Sequence, residues 1–142
     1  MSGVDVMRKI LILARESGTI LELNDIKNES FLPKSSLEAV SVNDFMETLK
    51  SEVSHFDQLR KNAIVKNCRL KYVAEFDNGN AKVGLKEIAS NHSFYNLEGK
   101  DNIVLFYTER YNEQPLIIKG AGAGADVTAS GLFADIIRIA NN

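Results

Sequence analysis

Apolar residues recur at helical spacing at the start of the chain. Between Ser2 and Gly18 they cover so much of a helical wheel that we predict a first helix that is mostly buried. Ser2 and Asp5 have the spacing of a capping box at its N-terminus. Gly18 suits the left-handed residue that commonly follows the last turn, so we predict that the helix ends there.

Three further helices are indicated by the same periodicity. Asn43 is predicted to cap a second helix whose apolar residues share one face: Phe45, Met46, Leu49, Val53 and Phe56. Another helix is predicted from Asp57 to about Val65, and a last one from about Asp126 to Ala140.

The rest of the pattern favours strands. Residues 70–76 and 81–86 alternate between apolar and charged side chains, which is typical of half-buried strands. Asp77-Asn78-Gly79-Asn80 lies between them and supplies the left-handed positions of a tight hairpin. Shorter strands are predicted at residues 19–26, 102–107 and 114–118. This order predicts an α+β fold, with a mostly antiparallel sheet covered by helices.

Composition narrows the class of protein. The 142 residues are 44% hydrophobic and 25% charged, as in ordinary globular domains, and the net charge of −2 gives no reason to expect a nucleic acid or a membrane surface as partner. Cys68 is the single cysteine, and His55 and His92 are far apart in the sequence, so we expect no disulfide and no metal site. No apolar run reaches the length of a membrane span, and we expect a cytoplasmic protein.

A glycine-rich segment near the C-terminus, KGAGAGADVTASG at residues 119–131, invites a nucleotide-binding interpretation. Gly120, Gly122 and Ala125 match the loose pattern G-x-G-x-x-A, and the helix that follows would favour an anion at its start. A dinucleotide fingerprint also needs a second strand with an acidic residue, and the sequence that follows is too short for one. The residues alone favour a tight packing turn over a ligand contact.

Asp5 and Lys9 are the other candidate site residues. They are four positions apart and so share one face of the first helix. Most such pairs only stabilise the helix slightly. Because the helix is so apolar, however, we expect its polar face to line a cleft, where a lysine beside a carboxylate would transfer a proton or hold a substrate.

Three segments resemble homoserine dehydrogenase. SGVDVMRKILILAR, at residues 2–15, is similar to the substrate-site helix of that family, and GAGAGADVTASG, at residues 120–131, is similar to its C-terminal glycine loop. NLEGKDN, at residues 96–102, resembles the turn before one of its core strands. The segments occur in the family's order. Residues 28–68 resemble the version found in bifunctional aspartokinase–homoserine dehydrogenases.

The resemblance implies a reaction and roles for four residues. The family reduces aspartate 4-semialdehyde to homoserine with NADPH or NADH, and catalyses the reverse, in threonine and methionine biosynthesis. Lys9 matches the lysine that moves a proton on and off the substrate oxygen, and Asp5 matches a substrate-binding carboxylate. Gly122 and Gly124 match the loop beside the nicotinamide end of the cofactor. The choice between NAD and NADP belongs to another domain.

The family's Rossmann domain and the substrate-binding segment that follows it have no counterpart in this sequence. We therefore expect a C-terminal piece of the enzyme: residues 1–124 as a truncated substrate and dimerisation domain, and residues 125–142 as a helix that packs back on the Rossmann domain. Alone, it is expected to be inactive, to hold no cofactor tightly, and to form a dimer or larger species. The alternative is a non-enzymatic dimerisation or ligand-binding module with the same fold.

Overall fold

The computed structural model describes residues 3–141. The chain forms two compact units, which divide between Tyr95 and Asn96. This division follows the internal contacts of the chain. The predicted boundary after residue 124 instead separates off the helix that is expected to pack against a Rossmann domain, and it stays a prediction.

The first unit combines helices with a three-stranded sheet. Its elements are α1 (Val4–Glu16), a 3₁₀ turn (Leu23–Asp25), β1 (Lys27–Glu29), α2 (Lys34–Leu37), α3 (Val42–Ser51), α4 (Val53–Val65), β2 (Cys68–Asp77) and β3 (Asn80–Ala89). The strand order is β1-β3-β2, with β1 parallel and β2 antiparallel to β3. Both α1 and α4 contact β2.

The helix α1 covers the core of this unit with one face. Met7 and Ala14 are buried in a cluster that also contains Leu21, Ile26, Ala81 and Val83. The prediction of a mostly buried helix is wrong, since Met7 and Ala14 are its buried residues and Ile12 is 60% exposed. Sequence periodicity overestimated burial because an apolar residue need not face the core. Gly18, with φ of 90°, follows the helix as predicted; Ser2, the predicted cap, lies outside the described residues, and Gly3 is the N-cap.

The hairpin between β2 and β3 is confirmed. Asp77 pairs with Asn80, and the two residues between them, Asn78 and Gly79, have φ of 47° and 79°. These left-handed conformations match the right-handed twist of the two strands, and asparagine and glycine adopt them at low cost. The hairpin therefore fixes the register that brings Tyr72 opposite Leu85.

Three local predictions are wrong in detail. Residues 19–26 form no strand but end in the 3₁₀ turn, because the backbone N–H of Glu22 donates to the Asp25 carboxylate at 2.8 Å. The helix predicted to be capped by Asn43 is capped by Ser41 and begins at Val42; the Ser41 hydroxyl accepts from the N–H of Asp44 at 3.1 Å. In both places a short polar side chain decides the backbone path, which periodicity does not reveal. The third difference is the boundary between the next two helices: α3 ends at Ser51, and Val53 and Phe56 belong to α4, which begins at Val53 and not at Asp57.

The second unit contains β4 (Asp101–Phe106), β5 (Leu116–Ala121) and α5 (Ala125–Ala140). The two strands form an antiparallel pair. This confirms the last three predicted elements with small shifts of their ends. The α+β class is confirmed as well, and among the described strands only β1 and β3 pair in parallel. No helix within residues 3–141 is long and apolar enough to span a membrane.

Candidate functional site

The predicted pair on α1 is formed. Nζ of Lys9 lies 2.9 Å from Oδ2 of Asp5, and the side chains are 53% and 80% exposed. The expected cleft is therefore absent around this pair in the described chain. An exposed i,i+4 ion pair contributes only a few tenths of a kcal/mol to stability. Both charged groups are accessible to a ligand and neither is needed to hold the helix together.

The start of α1 is held by a contact that the sequence did not reveal. The Tyr72 hydroxyl donates to Oδ1 of Asn28 at 3.0 Å, and it occupies the place where a Cβ of Gly3 would lie. Burial raises the pKa of Tyr72, so the hydroxyl keeps its proton. Gly3 has φ of 75°, which also favours glycine. This contact fixes the backbone two residues before Asp5.

The glycine loop of the second unit joins β5 to α5. Gly120 is the β5 partner of Asn102, and no atom lies within 4 Å of where its Cβ would be. At Gly122 a Cβ would fall on the Asn102 carboxamide, and the Gly122 N–H donates to the carbonyl of Lys100 at 3.2 Å. A Cβ at Gly122 would therefore displace the end of the exposed Asn102 side chain, whereas one at Gly120 would meet open space.

Gly124 is the N-cap of α5 and has φ of 141°. Side chains are strained in this conformation. Nζ of Lys100 lies 3.5 Å from where a Cβ of Gly124 would be. The carbonyl of Gly124 accepts the N–H of Thr128 at 3.1 Å, which begins the helical hydrogen bonding. The segment is therefore a turn between β5 and α5, as predicted, and it presents little side-chain bulk and leaves the backbone of Gly122 exposed.

A charged network lies on the sheet face opposite to Tyr72. Oε2 of Glu75 is 2.9 Å from Nζ of Lys82 and 3.4 Å from Nζ of Lys86. The hydrogen bond from Lys82 is the main cause that lowers the pKa of Glu75, and the same bond raises the pKa of Lys82. These residues therefore form ion pairs across β2 and β3 on this face of the sheet.

The two histidines make local contacts. Nε2 of His55 lies 3.0 Å from the carbonyl oxygen of Phe31, and Nδ1 of His92 accepts the N–H of Phe94 at 3.1 Å. Within residues 3–141 no group of three or more histidine, cysteine, aspartate or glutamate side chains is placed to hold a metal. The two histidine rings therefore contribute to local backbone contacts.

Comparison with known proteins identifies the family. The homoserine dehydrogenase family model matches residues 1–137. The chain belongs to the homoserine dehydrogenase family. A maize protein named bifunctional aspartokinase/homoserine dehydrogenase 2, chloroplastic, is 44% identical over 143 residues, which cover 99% of this chain and 16% of that protein. The chain thus spans about a sixth of the length of this homoserine dehydrogenase relative.

Two solved structures have the same fold as this homoserine dehydrogenase chain. A Candida auris protein of unknown function is 38% identical and has a TM-score of 0.88, over 99% of this chain and 40% of that one. Staphylococcus aureus homoserine dehydrogenase at pH 6.0 is 22% identical, with a TM-score of 0.65 over 98% of this chain and 31% of that one. At that identity the second match shows the fold alone.

Proposed function

We propose that the chain provides the substrate-binding part of an NAD(P)H-dependent homoserine dehydrogenase. In the intact enzyme the reaction interconverts aspartate 4-semialdehyde and homoserine. The observation that carries the proposal is the exposed Asp5–Lys9 pair, at 2.9 Å, in a chain of this family. An ammonium group and a carboxylate that are both accessible and structurally dispensable are suited to a polar substrate.

Lys9 is the proton donor and acceptor in this proposal. Reduction transfers a hydride to the aldehyde carbon, and the carbonyl oxygen gains a proton from the Lys9 ammonium as the C–O π bond becomes a lone pair. In the reverse direction the neutral amine removes the hydroxyl proton of homoserine. A positioned acid–base group of this kind typically accelerates a reaction by about 10²–10⁴-fold.

Asp5 binds the substrate and orients Lys9. Its carboxylate has two oxygens, of which Oδ2 contacts Lys9. A carboxylate of this kind accepts several hydrogen bonds at once, so a bound substrate ammonium or hydroxyl shares Asp5 with Lys9. The contact of Tyr72 with the backbone at Gly3 holds the preceding turn in place for both residues.

The glycine loop fits a nicotinamide cofactor, which supplies the hydride when bound. The backbone of Gly122 is exposed, and Gly124 has a positive φ of 141°. Because neither residue has a side chain, a flat ring can approach the backbone of the loop closely. We propose Gly122 and Gly124 as cofactor contacts. The choice between NAD and NADP does not follow from these residues.

Three further features of the intact protein are proposed with this function. The parent is a bifunctional aspartokinase–homoserine dehydrogenase, supported by the maize relative. Association into a dimer or larger species, and packing of α5 on a Rossmann domain, are supported by the exposed apolar side chains Leu132, Ile136 and Ile137. The predicted cytoplasmic location stays a proposal; the name of the maize protein gives the chloroplast for that protein.

A hybrid enzyme tests the proposal. Residues 1–142 replace the aligned segment of the maize protein, and homoserine oxidation is followed by the absorbance of the reduced nicotinamide. We expect turnover in the hybrid and none in the chain alone. A hybrid that folds and binds cofactor but does not turn over would contradict the proposal and favour a non-enzymatic module, with the unmodified maize protein as the control.

A further inference from the structure

The exposed side of α1 carries a compact group of four residues. Asp5, Arg8, Lys9 and Ile12 are all exposed. Arg8 and Lys9 each lie three or four positions from both Asp5 and Ile12, and positions with this spacing are neighbours on a helix surface. The two proposed substrate residues therefore share one continuous surface with Arg8 and Ile12.

Arg8 has no partner on this surface or elsewhere within residues 3–141. Asp5 is the acid at helical spacing from it, but Oδ2 of that carboxylate lies 2.9 Å from Nζ of Lys9. Four positions further along the helix an acid would pair with Arg8, and the residue there is Ile12, which is 60% exposed. The Arg8 guanidinium is thus one positive charge in excess of the Asp5–Lys9 ion pair.

The other arginines already have partners in the described chain. Arg15, on the same helix, is the nearest comparison: its Nε donates to the carbonyl of Leu21 at 2.9 Å, and its Nη2 lies 2.7 Å from Oε1 of Glu22. The remaining partners are acids for Arg60 and Arg138 and tyrosine rings for Arg69 and Arg110. Arg8 alone among the described arginines is left to bind an anion that these residues do not supply.

The proposed substrate has one charged group that Asp5 and Lys9 do not bind. Homoserine carries a hydroxyl at one end of a short chain and an ammonium and a carboxylate at the other. Lys9 serves the hydroxyl oxygen and Asp5 the ammonium or the hydroxyl, which leaves the carboxylate without a cation. A guanidinium matches a carboxylate with two parallel hydrogen bonds. A cofactor phosphate is the other anion of the reaction, but Arg8 lies on the surface of the two substrate residues, which favours the carboxylate.

We propose that Arg8 binds the α-carboxylate of homoserine and of aspartate 4-semialdehyde. The inference rests on the proposed function, because it assigns the remaining charge of that substrate. Two N–H groups of the guanidinium donate to the two carboxylate oxygens and hold the substrate by the end opposite to the oxygen that Lys9 serves. Arg8 therefore selects substrates that have a carboxylate and takes no part in the proton transfer.

Arg8→Gln in the hybrid enzyme is expected to raise the KM for homoserine by about tenfold to a hundredfold, because a charged hydrogen bond is lost. The KM for the nicotinamide cofactor and the thermal midpoint should stay unchanged. Arg8→Lys keeps the charge without the planar fork and should raise the homoserine KM less. Arg60→Gln, the matched control, removes an exposed arginine paired with Asp57 on α4 and should leave both KM values unchanged. A homoserine KM equal to that of the control, or a cofactor KM that rises as much, would overturn the assignment.

A carboxylate-free probe shows which substrate group Arg8 binds. The amino alcohol 3-aminopropan-1-ol has a hydrogen in place of the carboxylate of homoserine, and its inhibition constant against homoserine should be the same with and without Arg8→Gln. A general distortion of the site would weaken both compounds equally, and that result would overturn the proposal.

An unsubstituted hybrid that does not turn over would count against the proposed function instead. Calorimetry with the reduced cofactor present, under which homoserine is not oxidised, then still measures substrate binding. Homoserine binding that Arg8→Gln weakens by about tenfold or more would support the role of Arg8. Binding that is equal in the two proteins, or absent from both, would overturn it.

Discussion

The Tyr72 hydroxyl occupies the space that a side chain at Gly3 would need. It lies against the backbone at the start of α1 and donates to Asn28, whose Oδ1 is itself 3.3 Å from where a Cβ of Gly3 would be. A residue on the second strand thus determines which residue type is allowed immediately before the helix that carries Asp5 and Lys9. The position of Tyr72 in β2 therefore constrains the start of the helix that carries the two candidate site residues.

Gly3→Ala is expected to destabilise the first unit. The substitution places a side chain against Tyr72 and in a left-handed conformation, which costs about 1–3 kcal/mol. Urea unfolding measures the loss. Tyr72→Phe removes the hydroxyl, so the double variant should recover part of the loss. A Gly3→Ala protein as stable as the unsubstituted chain would show that the contact does not constrain the helix start.

Gly124→Ala and Gly131→Ala are expected to have opposite effects. Gly124 has φ of 141°, so alanine there is strained by about 1–3 kcal/mol. Gly131 lies inside α5 with open space around it, so alanine should stabilise the helix by about 0.5–1 kcal/mol. Thermal unfolding followed by circular dichroism compares the two variants. A similar shift for both would contradict the described loop conformation.

The Glu75 network is expected to make stability fall in acid. The pKa of Glu75 is lowered from its ordinary 4.5, first by the hydrogen bond from Lys82, so its contribution is fully present above about pH 4.5 and is lost as the pH falls through the lower, folded-state pKa. Since the pair is partly exposed, the effect is expected to be below about 1 kcal/mol. Urea midpoints at neutral and acidic pH measure it.

Glu75→Gln should flatten that acid dependence. The glutamine variant has no carboxylate to protonate at this position, so the difference between the two pH values should shrink. Glu16→Gln, at an exposed position on α1 outside the network, serves as the control and should leave the difference as it was. If Glu16→Gln and Glu75→Gln flatten the profile equally, the network does not stabilise the sheet.

Asp5→Asn in the hybrid enzyme is expected to weaken substrate binding. Loss of a charged hydrogen bond costs about 1.5–3 kcal/mol, so the KM for homoserine should rise by about tenfold or more. Stability should change little, because the carboxylate is 80% exposed. Glu38→Gln removes the acid of a comparable pair with Lys34 on α2 and should leave the KM unchanged. Equal KM values for homoserine in the two variants would show that Asp5 does not bind the substrate.

Much of the fold could be predicted from the sequence because local signals agreed with the tertiary structure. The hairpin at Asn78-Gly79 is the strongest case, since alternation and turn chemistry both indicated it. The turn at residues 19–26 could not be predicted from periodicity. There the carboxylate of Asp25 binds the backbone of Glu22 and overrides the β-rich composition.

The candidate site was only partly predictable. The spacing of Asp5 and Lys9 sufficed to place them together, because positions four apart always share a helix face. The contact of Tyr72 with Gly3 joins residues far apart in sequence, and it depends on the position of Tyr72 in β2. Gly3 was visible in the sequence, but the Tyr72 side chain that leaves no room for another residue type there was not.

Lys9→Met in the hybrid enzyme tests the central claim most directly. The account predicts that kcat for homoserine oxidation falls by about 10²–10⁴-fold while the thermal midpoint stays the same, because the Lys9 ammonium transfers the proton and its ion pair stabilises α1 only slightly. Lys34→Met, the control on α2, should keep full activity. A Lys9→Met enzyme with the kcat of the Lys34→Met control would contradict the account.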